Sequence, residues 1–121
     1  MIGYVTLGTK DLKKAAAFYD ALLKEVGAKR TMEMEKFIAW GVGRGPGLGL
    51  TYPFDGKAMT VGNGVMVALA VDSKEKVNAV HKKALQLGGK DEGAPGPRGD
   101  GFYAAYFRDP DGNKLNAFVM G

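Results

Sequence analysis

Val65-Met66-Val67-Ala68-Leu69-Ala70-Val71 alternates its side chains in the manner of a half-buried strand, and Ile2-Gly3-Tyr4-Val5-Thr6-Leu7 does so in the same phase when moved forward by 62 residues. At that shift Val5 falls on Val67, Leu7 on Leu69, Phe18 on Val80, Leu23 on Leu85 and Gly27 on Gly89, without a gap. After the first strand, Leu12, Ala15, Phe18 or Tyr19, Leu22 and Val26 recur at helical spacing. Thr9 is the expected N-cap, Asp11 sits in the first turn, and Gly27 supplies a left-handed stop. After the second strand, Asp72 and Glu75 have capping-box spacing before Val77, Val80, Ala84 and Leu87, and Gly88-Gly89 ends that helix.

The tails of the two stretches agree as well. Strand-like pieces at 28–34, 36–42 and 48–52 follow the first helix, with a turn at Gly43-Arg44-Gly45-Pro46-Gly47. Phe37-Ile38-Ala39-Trp40 answers to Tyr103-Ala104-Ala105-Tyr106, and Leu48-Gly49-Leu50 to Leu115-Asn116-Ala117. The reading is an α+β chain of two tandem βαβββ modules. Module one covers about 1–53, a connector about 54–63, and module two about 64–121. Each sheet must bury one face under its own helix, which takes Val5, Leu7, Val67 and Leu69 and leaves Tyr4, Thr6, Met66 and Ala68 on the other. A curved mixed sheet around a concave cleft is expected, a natural site for a small molecule.

Composition narrows the classes. A chain of 121 residues with 45% apolar and 25% charged residues fits one globular domain, and its 19 glycines imply many tight turns. Lys+Arg 17 against Asp+Glu 13 are interspersed, so the net charge of +4 points to no nucleic-acid partner. Without cysteine there is no disulfide, thiolate zinc site or cysteine nucleophile, and the single His81 excludes a multi-histidine metal site within one chain. No long apolar run suggests a leader or membrane segment, so a cytoplasmic protein without a membrane partner is expected. The glycine run at 41–49 satisfies no GxGxxG register and reads as a hairpin turn. His81, one place beyond Val80, is expected at the border of the buried helix face with its ring partly in water and no catalytic role.

With Tyr4-Val5-Thr6-Leu7, Asp11-Leu12 and Ala17-Phe18-Tyr19, and above all Phe107-Arg108-Asp109-Pro110-Asp111-Gly112-Asn113, this plan resembles the vicinal oxygen chelate superfamily. That family contains glyoxalase I, bleomycin and fosfomycin resistance proteins and extradiol dioxygenases. The resemblance covers essentially the whole chain. It implies a homodimer and, in members that do chemistry, a divalent metal held by facing residues of the concave sheet. Carried onto this chain, those places fall on Tyr4, Met66, Asn116 and a fourth near Gly49 or Thr51. None is a strong ligand for a hard or borderline dication, so no metal cofactor is expected.

The expected function is therefore a glyoxalase- or bleomycin-resistance-like protein that binds a small organic molecule without the family metal. Its candidate ligand contacts are Tyr4, Trp40, Tyr52, Met66, Tyr103, Tyr106 and Asn116. Arg98, in the Gly/Pro-rich segment 93–101, is a candidate partner for a carboxylate or phosphate. The alternative is an enzyme, a glyoxalase-like lyase or isomerase or a dioxygenase relative. It would use a divalent metal, or Tyr4 as acid–base group with Arg98 beside the developing oxyanion.

Overall fold

A computed structural model describes residues 1–121. The chain runs β1 (Tyr4–Gly8), α1 (Leu12–Lys24), β2 (Lys29–Met34), β3 (Phe37–Gly41), β4 (Gly47–Thr51), β5 (Val67–Ala70), α2 (Lys74–Gln86), β6 (Lys90–Pro97), β7 (Phe102–Arg108) and β8 (Lys114–Met120). It divides into two compact units, Met1–Val61 and Gly62–Gly121. Each carries one βαβββ module, with sheet orders β1-β4-β3-β2 and β5-β8-β7-β6. In each the first strand lies parallel to the last and the other pairs are antiparallel.

The repeat holds at the level of pairing. Val5 lies opposite Leu48 and Leu7 opposite Leu50, as Val67 lies opposite Leu115 and Leu69 opposite Ala117. The helices have 13 residues each and start 62 residues apart. Their caps differ from expectation. Asp11, not Thr9, caps α1, its carboxylate accepting from Lys14 N at 3.1 Å. The Thr9 hydroxyl instead exchanges hydrogen bonds with the Asp11 backbone, holding the cap residue extended. Ser73, not Asp72, caps α2, accepting from Lys76 N. A serine one residue nearer the helix reaches the same orphan amide through a shorter side chain.

The modules fall out of register by one residue at the helix ends. Gly27 (φ 79°) and Gly88 (φ 95°) are the left-handed stops, and the next residues bond back across the last turn, Ala28 N to Leu23 O and Gly89 N to Ala84 O. Gly89 is needed for a different reason: a Cβ there would lie 2.7 Å from Ala84 O and 2.8 Å from Arg108 O.

Each helix covers one sheet face. In module one Leu12, Phe18, Tyr19 and Leu22 close over Leu7, Ile38, Trp40 and Leu50; in module two Val77, Val80 and Ala84 close over Ala105, Phe107, Leu115 and Ala117. Burying each of the larger side chains contributes about 1.5–3 kcal/mol, which holds each helix to its sheet.

Both modules also share a feature invisible in the sequence. On β2 the pairing passes from Arg30 opposite Trp40 to Met32 opposite Ala39, so Thr31 is an extra residue, a β-bulge. On β6 it passes from Asp91 opposite Phe107 to Gly93 opposite Tyr106, the same bulge 61 residues on. A second irregularity follows between Gly93 and Gly96. Segment 93–97 is thus part of a bulged strand rather than a loop.

The bulge decides which side chains meet the helix. Arg30, on the helix side, donates to both Asp20 carboxylate oxygens at 2.8 and 2.7 Å, pairs with Glu33, and lies over the Trp40 ring. Hydrogen bonding to Arg30 holds the Asp20 carboxyl below its ordinary pKa, although partial burial opposes this. In module two the same link recurs with its polarity reversed: His81 Nε2 lies 3.0 Å from Asp91 Oδ1. His81 is therefore buried, contrary to the half-wet position expected, because the strand supplies a carboxylate for its ring.

The Gly93 amide first, and His81 second, hold the Asp91 carboxyl below its ordinary pKa. A depressed folded pKa means that the stabilisation is complete above the unfolded value and fades as pH falls through the folded one. Acid unfolding followed by circular dichroism should then show a loss of stability below about pH 4 that is reduced in Asp91→Asn. Identical acid profiles for the two proteins would contradict this.

Candidate functional site

The side chains that the helices do not cover define the open faces. In module one they are Tyr4 and Thr6 of β1, Phe37 and Ala39 of β3, and Met32 and Met34 of β2. Tyr4 is 65% exposed and meets Phe37 edge to face, with centroids 6.3 Å apart. Phe37 lies over Gly49, where a Cβ would come within 2.7 Å of its ring, so only glycine admits the ring there. Together with Thr31, Tyr4, Phe37, Met32 and Met34 wall a cavity of about 540 Å³ floored by Ala39 and the glycines 41, 43, 45 and 47. No carboxylate, amine or imidazole lines it.

In module two the open face carries Tyr106 and Asn116, directly opposite each other on β7 and β8. Two cations flank the Tyr106 ring, the Arg98 guanidinium at 5.5 Å and the Lys114 ammonium at 5.6 Å from its centroid. Arg98 lies just beyond β6, and its guanidinium donates to Ala94 O at 2.6 Å. It passes over Gly93 and Gly96, where a Cβ would come within 3.3 and 3.1 Å of its nitrogens. Asn116 is only 2% exposed, and its Oδ1 has no hydrogen-bond partner. A buried acceptor left unmatched costs about 1–3 kcal/mol.

The other expected contacts are placed differently. Trp40 does not reach the open face. It is 1% exposed beneath α1, with its indole N–H donating to Asp20 at 2.9 Å and its ring 5.8 Å from that of Tyr19. Tyr103 turns to the helix side as well, its hydroxyl donating to Asn78 at 2.8 Å with Lys74 over its ring. The reason is parity. Since Trp40 lies opposite Leu48 and Phe107 opposite Leu115, the repeat partner of Trp40 is Phe107 and not Tyr106. A one-residue slip moves every side chain to the opposite face.

Tyr52 lies just past β4, where its hydroxyl accepts from Leu12 N at the start of α1. Met66 precedes β5 and is 40% exposed. Phe37, Met32, Met34 and Lys114 were not among the residues expected at the open faces. Thr31 shifts the phase of β2, and no residue type in that strand announces the bulge.

The register also locates the places where the family resemblance implies a metal. Asn116 lies opposite Ala68 as Gly49 lies opposite Thr6, so Gly49 is its repeat partner and has no donor side chain. The Thr51 hydroxyl donates to backbone carbonyls of Lys36 and Tyr52. The set is then an exposed phenol, a thioether and one amide oxygen, which does not fit a hard or borderline dication. Nowhere does the chain gather three or more His, Asp or Glu side chains able to hold a metal ion.

Residues 1–117 match the Glyoxalase/Bleomycin resistance protein/Dioxygenase superfamily, and the chain belongs to it. A glyoxalase/bleomycin resistance protein from Albidiferax ferrireducens T118 is 35% identical, covering 100% of this chain and 99% of that one, with a TM-score of 0.93. A glyoxalase/bleomycin resistance protein/dioxygenase family enzyme from Burkholderia phytofirmans PsJN shares the fold at 21% identity and TM-score 0.81, over 98% of each chain. A lactoylglutathione lyase from Agrobacterium tumefaciens shares it at 23% identity and TM-score 0.72, over 98% of this chain and 92% of that one. No curated protein matches the chain. No helix is long and apolar enough to cross a membrane.

Proposed function

We propose that this member of the family binds a small, largely apolar organic molecule on its open sheet faces, without the family's metal. The observation that carries the reading is the cavity of about 540 Å³ beside Tyr4, whose walls are mainly aromatic and thioether and whose floor is Ala39 and glycine backbone. Such walls recognise a flat or aliphatic body by shape and desolvation, and they contain no group to abstract or deliver a proton apart from the Tyr4 phenol. Its ring meets that of Phe37 at 6.3 Å between centroids, nearly perpendicular. In module two, Arg98 and Lys114 beside the Tyr106 ring favour an anionic substituent on a ligand of that face.

Thermal unfolding against a panel of aromatic and aliphatic compounds tests this. A hit at 100-fold excess over its Kd should stabilise the protein by about 2.7 kcal/mol. Thr31→Trp, at an exposed bulge position that tolerates bulk, should fill the cavity and abolish the shift. A panel without hits, or hits indifferent to Thr31→Trp, would overturn the reading. So would stoichiometric metal in protein purified without an affinity tag.

A further inference from the structure

We propose that a second cavity in module one, roofed by the chain that leaves β4, binds an organic anion with an apolar body: a carboxylate or phosphate head on an aliphatic chain. Its volume is about 660 Å³, and its lining includes Lys10, Lys36 and Lys57 together with Phe37, Tyr52 and Met59. No acidic side chain lines it. Asp55, in the same segment, turns its carboxylate to the Lys57 amide at 2.9 Å.

The walls are fixed by backbone contacts. At one end the Tyr52 amide and the Thr51 hydroxyl both donate to Lys36 O, at 3.3 Å each, which ties the β2–β3 turn to the end of β4. Thr9 N donates to Thr51 O at 3.2 Å, which sets Lys10 beside the same strand end. At the other end Met59 packs onto the last residue of β1, so closely that a Cβ on Gly8 would lie 2.9 Å from its Cβ. Phe54 stands fully exposed between these two anchors.

The chemistry of the lining is divided. Phe37, Tyr52 and Met59 give an apolar surface, and Lys10, Lys36 and Lys57 give a positive rim, in which Lys36 and Lys57 join no ion pair. The Tyr52 hydroxyl is oriented by the Leu12 amide, from which it accepts at 3.0 Å, so its proton is directed away from the helix end. An anion gains Coulomb energy at such a rim, and an aliphatic body removes the apolar wall from water. A neutral ligand gains only the second and a bare inorganic anion only the first. The site is separate from the glycine-floored cavity, with which it shares only Phe37.

Isothermal titration of the full chain with decanoate, octyl phosphate, decanol and inorganic phosphate decides the matter. Decanoate or octyl phosphate, or both, should bind at least about tenfold more tightly than decanol or inorganic phosphate, and added salt should weaken them. The stronger of the two shows whether the head is carboxylate or phosphate. The double variant Lys36→Gln/Lys57→Gln, whose side chains join no ion pair in the structure, should keep its melting temperature and lose about tenfold in affinity. Thr31→Trp, which blocks the other cavity, should leave this binding unchanged. Decanol binding as tightly as decanoate, binding unaffected by the lysine variant, or no binding by either anion would each overturn the proposal.

Discussion

Trp40→Ala is expected to destabilise the chain by about 3–5 kcal/mol, and Tyr106→Ala by no more than about 1–2 kcal/mol. Trp40 is the largest fully buried side chain, closed under α1 against Tyr19, and its removal leaves a cavity that the rigid sheet cannot collapse. It also strips Asp20 of its indole donor. Tyr106 lies on the open face, and its removal loses only the cross-strand contact with Asn116 and the two cations on its ring. Urea unfolding of the two variants measures the difference as a shift in midpoint at unchanged slope. A domain of this size has only about 5–15 kcal/mol in all, so Trp40→Ala approaches the threshold of folding. Trp40→Phe keeps most of the apolar contact and should cost less. Comparable losses for Trp40→Ala and Tyr106→Ala would mean that the two rings share an environment after all.

The same pair of residues shows how far the sequence carries. Alternation in Tyr4-Val5-Thr6-Leu7 and Val67-Ala68-Leu69, and the helix spacing that follows each, are local signals that placed the modules, both helices and the inward residues of the first strands. The last strands also correspond as read, Leu48 standing opposite Val5 as Leu115 does opposite Val67, and Leu50 opposite Leu7 as Ala117 does opposite Leu69. The third strands do not. Phe37–Trp40 and Tyr103–Tyr106 match by residue type, aromatic at both ends, but hydrogen-bond register puts Trp40 with Phe107. Aromatic character says that a side chain is large, not which face it takes. Tyr103 and Tyr106, three residues apart on one strand, can never share a face, and that parity was available without a structure.

The bulges at Thr31 and after Asp91 lay deeper. Each inserts one residue into a strand with no glycine, proline or apolar anomaly at Thr31 itself to mark it. They carry Met32 and Met34 to the open face and Arg30 and Asp91 to the helices. The connector was legible as a non-strand segment, but nothing local could say that Met59 returns to Gly8 and brings Lys57 near Lys36.

Asp109→Ala should cost about 3 kcal/mol or more, although the residue lies in a hairpin turn where substitutions are usually tolerated. The motif Asp109-Pro110-Asp111-Gly112-Asn113 reads as a set of residues that reverse a chain, with Pro110 fixing φ. The structure adds a hub. Asp109 is 3% exposed, its Oδ1 accepting from the amides of Asp111 and Asn113 at 2.9 Å each and its Oδ2 from the Asn113 side chain at 3.0 Å. Asp109 N and Asn113 O close the loop with a further bond of 2.9 Å. Removing the carboxylate strands two backbone donors and a buried amide at once, each costing about 1–3 kcal/mol. Asp109→Asn is the sharper test, because it keeps the volume but turns an NH2 toward one of those donors. Chemical denaturation should find it clearly less stable than the parent but less damaged than alanine, because its remaining oxygen still accepts from the Asp111 and Asn113 amides. An asparagine variant as stable as the parent would show that shape, and not the carboxylate, holds the turn that brings β8 back against β7 and sets Asn116 opposite Tyr106.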